Sequence, residues 1–404
     1  MSSFSWLDYA ESDRRAAMDV IDLFRERETV DELGIGSVRD TFSDMLFPGT
    51  SAIQTRARYF LIIPWIYLRL ERAKVESALV ADRARRDELA LIETLEASDD
   101  RDGIIGVRAK KSLKRLPSMV YWQGLGRLGI RAYPGSRDQY HRSLDSFYSR
   151  SSGTIRNDDG ELIEYGKVRN WDKLLPAPPA GFPRQCSLTL TGPEAGYLSE
   201  RIRHAAPHSL FVHLIDCSFE SADVAFPWEH HGAAALPPIA AQQLRHARNF
   251  SEAFHGAALL YNLILSELAQ RADWTEEYRA RLAAWAGMIQ ESRDRLAAWN
   301  IDEFWRVVGG ANARVPVPTR TFVDAWLAFV RGDRVAAVAR DRGARELIAR
   351  RERMLKRTLA RVDGGRALEL FQGAAGARQI DYRWTATVRR MLADIREGLA
   401  RDDA

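Results

Sequence analysis

Ten lysines and arginines fall between residues 101 and 142, with two acids among them. The cations are Arg101, Arg108, Lys110, Lys111, Lys114, Arg115, Arg127, Arg131, Arg137 and Arg142; the acids are Asp102 and Asp138. Ten against two exceeds the +4 carried by the whole chain, so the remaining residues are net acidic. Tyr121, Trp122, Tyr133 and Tyr140 interleave with the charge. Cations beside aromatics over a short span suit a polymer that bears phosphates. Five of the cations, Arg108, Lys110, Lys111, Lys114 and Arg115, crowd about two turns of an expected helix. Lys111 and Lys114 share a face there, as do Lys110 and Lys114. Such a cluster repels itself unless anions sit nearby. Nucleic acid would supply them; so would a protein partner or the acidic remainder of the chain.

A second basic helix is expected within Arg340–Arg361, where nine cations meet Asp341, Glu346 and Glu352. Arg350, Arg353, Arg357 and Arg361 recur at spacings of three and four and would form a secondary basic stripe, with Leu347, Met354 and Leu355 beside it. The plainer alternative is a solvated face with pairs such as Glu346–Arg350.

No catalytic set emerges. GxxxxGK[ST], GxSxG and a strand-borne GxGxxG are absent; Gly124-Leu125-Gly126 with Gly129 lacks a preceding strand. Glu229-His230-His231 diverge on a helix, and His204, His208 and His213 straddle Pro207, so no metal site is expected. His246 and His255 lie nine apart on a long helix, with Ser251 and Glu252 between. Asp158-Asp159-Gly160-Glu161 looks like a turn, although Glu161, Glu164 and Lys167 could be read as a nuclease set. No cofactor is expected. Cys186 and Cys217 lie 31 residues apart and suit buried thiols in a reducing cytoplasm.

The elements that must position these groups are mostly helices. The 404 residues, 46% hydrophobic and 28% charged, have an ordinary globular composition and suffice for two or three domains. The 52 arginines against seven lysines fit a GC-rich genome and localise nothing. Met1–Leu7 carries no secretory pattern. Tyr59–Leu70, the most apolar run, is too short for a bilayer and contains Pro64, so it reads as a buried element. Asp13–Arg27 and Val38–Met45 are expected helices, with a turn at Pro48-Gly49. Thr50 or Ser51 then caps a helix whose exposed first turns would show Arg56 and Arg58. Residues 149–184, rich in Ser, Gly, Asp, Asn and Pro, read as a linker. Gln185–Leu190 is a candidate strand, and Ser209–Ile215 a strand or helix. Thr191 should cap a helix over Pro193–Ala205. From Pro238 onward the pattern is helical. The expected class is mainly α: a basic N-terminal helical module of winged-helix-like outline over 1–150, a linker over 151–185, and a larger helical domain with a few short strands over 186–404.

Three blocks of sequence carry a resemblance. The first runs Leu46-Phe47-Pro48-Gly49-Thr50-Ser51 through Gln54-Thr55-Arg56-Ala57-Arg58-Tyr59-Phe60 to Pro64-Trp65-Ile66-Tyr67. The second is Leu116-Pro117-Ser118 with Tyr121-Trp122 and Leu128-Gly129-Ile130. The third is Asp381-Tyr382-Arg383-Trp384 with Asp394-Ile395 and Gly398-Leu399. Together they resemble an uncharacterised bacterial family, the domain of unknown function 6361. Its members are reminiscent of genes in bacterial defence islands, near helicase-like and phospholipase-D-like proteins. The resemblance implies a role around foreign DNA and no catalytic residues.

The resulting expectation is a cytoplasmic, non-catalytic protein that binds double-stranded DNA within a multi-protein antiphage or restriction apparatus, with no membrane contact. Arg108, Lys110, Lys111, Lys114, Arg115, Arg127 and Arg131 would contact phosphates, and Arg56 and Arg58 would lie nearer the groove. The alternatives are a helical scaffold that holds a helicase or nuclease subunit, and an enzyme using His230, His231 or Glu252.

Overall fold

A computed structural model describes residues 31–151, 155–156, 162–163, 169–217, 223–311 and 314–401. The protein is mainly helical. In chain order the helices are α1 (Gly36–Leu46), α2 (Tyr59–Arg72), α3 (Ser77–Glu96), α4 (Pro117–Arg127), α5 (Arg137–Ser151), α6 (Gly192–Ala205) and α7 (Leu210–Asp216). They continue with α8 (Pro238–Leu268), α9 (Ala272–Glu291), α10 (Arg293–Ala297), α11 (Ile301–Ala311), α12 (Val317–Val330), α13 (Arg342–Lys356), α14 (Gly365–Glu369) and α15 (Arg389–Ala400). Among the described residues the sheet is one antiparallel pair, β1 (Ile155–Arg156) with β2 (Leu162–Ile163). The expected helix Asp13–Arg27 and the acidic set Asp158, Asp159, Glu161, Glu164 and Lys167 lie outside the described residues.

The chain groups into two compact units. The larger comprises residues 43–244 with the described residues after 380; the smaller comprises the described residues up to 42 with 245–380. The described residues of the stretch 149–184 group with the larger unit.

In the larger unit, α2 is apolar on all sides and is buried from Tyr59 to Tyr67, as a helix without a polar face must be. It packs on α3 and α4, α3 packs on α5, and α6 packs on α15. Thr191 caps α6 as expected: its hydroxyl accepts from the Glu194 N–H while the Glu194 carboxylate accepts from the Thr191 N–H. Ser209 caps α7, which resolves the ambiguous 209–215 run as a helix. Gln185–Leu190, a candidate strand, is irregular.

In the smaller unit, the part of α8 after residue 244 forms the axis. Phe250, Phe254, Leu259, Leu260, Tyr261 and Leu265 are all buried. Trp285 of α9 and Trp326 of α12 donate their indole N–H groups to the Glu252 and Ala253 carbonyls at 2.7 and 2.8 Å. A Cβ at Gly256 would stand 2.2 Å from the Trp285 ring, so this glycine lets the indole lie against the α8 backbone.

Two expected helices shrink. Val107–Arg115 keeps a single 3-10 turn, Lys110–Ser112, between Gly106 at φ 95° and Pro117. The helix expected after Thr50 or Ser51 begins at Tyr59 instead. Thr50 spends its hydroxyl on the Phe47 carbonyl at 2.7 Å rather than capping a helix.

Candidate nucleic-acid interface and the buried arginine junction

The delayed start of α2 places Arg56 and Arg58 in an irregular segment that threads the interior of the larger unit. Arg56 is 1% exposed and Arg58 4%. The Arg56 Nε–H contacts both oxygens of Asp394 at 3.0 Å. Its Nη1 donates to Asp100 at 2.7 Å and to the Asp102 carbonyl at 2.8 Å, and its Nη2 reaches the other Asp100 oxygen. Asp394 also accepts from the Ala57 N–H at 2.9 Å. Burial opposes the Arg56 charge, yet its two carboxylates outweigh this and hold its pKa above the usual value. The same guanidinium, bonded to Asp100, lowers that carboxyl's pKa. Arg58 donates to Glu194 at 2.7 Å and to the Ser187 carbonyl at 3.0 Å, and it lies 5.7 Å from the Trp65 ring centre. These two arginines were expected near a DNA groove. The structure corrects this: a buried guanidinium whose donors meet carboxylates has no open edge for phosphate.

The three blocks behind the family resemblance meet at this junction. The Tyr121 hydroxyl accepts from the Thr55 and Arg56 N–H groups at 2.9 and 3.0 Å and donates to the Arg56 carbonyl. Thr387 donates to the Ser51 carbonyl at 2.8 Å, and Arg383 to the Thr50 carbonyl at 2.7 Å. A Cβ at Gly124 would fall 2.3 Å from the Gly49 carbonyl oxygen, so only glycine lets α4 approach the turn. The motif is therefore a structural joint among residues about 60 to 340 apart.

Arg131 is also buried. It donates to the Trp122, Tyr133 and Gly135 carbonyls, and its guanidinium lies 4.8 Å from the Trp122 ring centre. Three of the four rings interleaved with the cations are likewise inside: Tyr121, Trp122 and Tyr140 are at most 3% exposed, while Tyr133 is half-buried with its ring against Tyr140. Tyr67, Trp122, Tyr140 and Trp171 pack edge-to-face, tilted or stacked, with centroids 5.3 to 6.0 Å apart. They fill a core and offer no stacking face for bases.

The other predicted cations are at the surface. Arg108, Lys110, Lys111, Lys114, Arg115 and Arg127 are all exposed. Lys110 has Glu96 at 3.7 Å. Lys111, Lys114 and Arg115 have no carboxylate within salt-bridge distance among the described residues, and five consecutive positions hold them within about 14 Å. Arg127 ends α4, whose 11 residues put it about 15 Å beyond Pro117, so it stands apart from the loop.

That loop is anchored along α3. Arg85 donates to the Lys111 and Leu113 carbonyls at 3.1 and 2.9 Å. Leu113 and Ile92 close on Gly106, where a Cβ would meet them at 2.7 and 2.8 Å. Glu88 accepts from both the N–H and hydroxyl of Ser118, each at 2.8 Å, and so caps α4 just after the loop. Burial pushes the Glu88 carboxyl up to about 7, against the pull of these bonds and of Arg137 and Arg85. The backbone is pinned while Lys111, Lys114 and Arg115 project outward.

In the smaller unit the secondary stripe is divided. Arg353 bonds Asp363 at 2.7 Å and has Glu346 at 3.6 Å, which removes the expected Glu346–Arg350 pair. Arg361 pairs with Glu32 at 2.9 Å. Arg350 and Arg357 are exposed with no carboxylate partner among the described residues. Arg357 has left the helix at φ 52°, which ends the basic helix expected within Arg340–Arg361 early.

Of the candidate catalytic groups, His230 and Glu252 are buried and engaged by neighbours, while His231 is exposed. His230 is buried, with its Nδ1 accepting from the Gly232 N–H at 3.0 Å. Glu252 is held by Arg248 and Arg295. The His246 Nδ1 accepts from the Trp299 indole at 2.8 Å. Among the described residues no group of three or more His, Cys, Asp or Glu is placed to hold a metal, and no helix is long and apolar enough to cross a membrane.

No curated protein and no solved structure matches the chain. The model of the family of unknown function DUF6361 matches residues 1–398, and with its three blocks joined at the Arg56 junction the chain belongs to that family.

Proposed function

We propose that this protein is a non-catalytic DNA-binding component of a bacterial antiphage or restriction apparatus, acting in the cytoplasm on double-stranded DNA. One observation carries the reading. Lys111, Lys114 and Arg115 are exposed and unmatched by carboxylate among the described residues, on a loop whose backbone is fixed by Arg85, Glu88 and Ile92. A loop already in place loses no backbone entropy on meeting phosphates, and released counterions supply the driving force. With Tyr121, Trp122 and Tyr140 buried, contact is to the backbone and carries little sequence choice. The defence setting and the companion subunits rest on the family resemblance.

Gel-shift titration of duplex DNA over a salt series tests this. Log affinity should fall linearly with log salt, and the triple variant Lys111→Glu, Lys114→Glu, Arg115→Glu should reduce the slope by about three. Unchanged retention of DNA by that variant would remove the loop from the interface.

A further inference from the structure

We infer that the C-terminal end of α13 is a docking face for an acidic, amphipathic helix of a second protein. The face lies in the smaller unit and stands independently of the DNA-binding loop. Three large apolar side chains crowd it: Met354 is 50% exposed, Leu355 42% and Leu359 71%. Single exposed leucines are ordinary, but a cluster on one short stretch marks an interaction surface. Leu355 rests its inner side on Gly34, where a Cβ would meet the leucine methyls at 3.0 Å. The backbone beneath is firm. Arg351 is buried and donates to the Leu33 and Gly34 carbonyls at 2.8 and 3.0 Å. Glu352 is buried, caps the turn that follows by accepting from Arg361 and Val362, and takes the Tyr261 hydroxyl.

The charges flanking the apolar patch identify the partner. Arg353 and Arg361 are neutralised within the unit, whereas Arg350 and Arg357 have no carboxylate partner among the described residues. Met354 follows Arg350 at the helical spacing of four residues, and Arg357 stands just past the helix end at φ 52°. From Arg350 to Lys356 the helix rises roughly 9 Å. A helix with leucine-like residues on one face and carboxylates along its flank would cover the patch and match both guanidiniums. Nucleic acid would meet the arginines but leave the methyl groups of Leu355 and Leu359 against phosphate. That contrast favours a protein over a polynucleotide here.

The test uses the full chain and designed helical peptides as probes. One peptide carries Leu at a and d and Glu at e and g of each heptad; its counterpart carries Lys in place of Glu. Fluorescence anisotropy should show the Glu peptide binding at least tenfold more tightly than the Lys peptide. Arg350→Glu with Arg357→Glu should reverse that order. Met354→Ser with Leu359→Ser should weaken the Glu peptide at least tenfold. All four side chains are exposed, so thermal unfolding of both variants should match the parent and separate a docking defect from a folding defect. Equal affinity for the two peptides, or indifference to the Met354 and Leu359 changes, would overturn the inference. So would concentration-dependent self-association, or binding to anionic phospholipid vesicles, that the Met354 and Leu359 changes abolish; each assigns the face to another occupant.

Discussion

Two sets of cations in the larger unit look alike in the sequence and act oppositely in the fold. Arg56 and Arg58 sit two residues apart in a polar, basic run, and Lys114 and Arg115 stand side by side in theirs. The first pair is enclosed by Asp394, Asp100 and Glu194; the second faces water with no carboxylate partner among the described residues. The difference teaches that local charge density does not report availability. A guanidinium can tie distant segments together because it presents several donors in a plane. Enclosing it is tolerable because carboxylates satisfy those donors, and removing one partner would strand the other.

Arg56→Met should break the comparison most strongly. It leaves Asp394 buried without its main partner, and a loss of about 3–5 kcal/mol is expected, read as a lower urea midpoint. If Arg56→Met folds as stably as the parent and loses DNA binding, the junction is a surface after all.

Glu88 gives the next largest effect. Its folded pKa of about 7 lies above the unfolded value of 4.5. The folded carboxyl thus retains a proton that the unfolded chain releases. That stabilisation is complete below pH 4.5 and is lost as pH rises through 7. At roughly 1.4 kcal/mol per unit the difference approaches about 3 kcal/mol. Glu88→Gln should flatten this part of the stability–pH curve relative to the parent. Identical curves would show that Glu88 is not buried in this way and that the loop lacks its anchor at Ser118.

The opposite slope comes from His141, buried beside Tyr67 at 2.9 Å and pushed down to about 4 by burial. The unfolded imidazole takes a proton from about 6.5 downward while the folded one does not, so stability falls as pH drops from 6.5 towards 4. His141→Gln should lessen that acid sensitivity, measured as the pH dependence of the urea midpoint. The smallest effect belongs to the loop: Lys111→Glu, Lys114→Glu, Arg115→Glu should alter stability by less than about 0.5 kcal/mol, since these side chains support nothing. A large drop in its melting temperature would place them in the structural set with Arg56.

Much of the fold was legible because it depends on local chemistry. The apolar period marked α8, the box Thr191–Glu194 marked the start of α6, and the unbroken apolar run marked α2 as buried. What escaped was the register of the α2 entry. Thr50 is a good cap in isolation, but tertiary bonds from Tyr121, Thr387 and Arg383 hold residues 50–56 in an irregular path that local propensity cannot foresee. The candidate site divided along the same line. Lys111, Lys114 and Arg115 stayed exposed, as a short charged loop tends to, while Arg131 turned inward to carbonyls that surround it through a turn and a ring. Tyr121, Trp122 and Tyr140 beside the cations were core residues, and their alternation with charge reflected two helices each with one buried side.

The amino-acid order alone determined that this chain is helical, where most helices run, and that positive charge concentrates in two stretches, because hydrophobic period, caps and charge are properties of neighbouring residues. Tertiary structure decided which of those charges are spent. Whether an arginine meets Asp394, 338 residues away, or meets water depends on which segments pack together, and only long-range packing brings a carboxylate to one cation and leaves another bare.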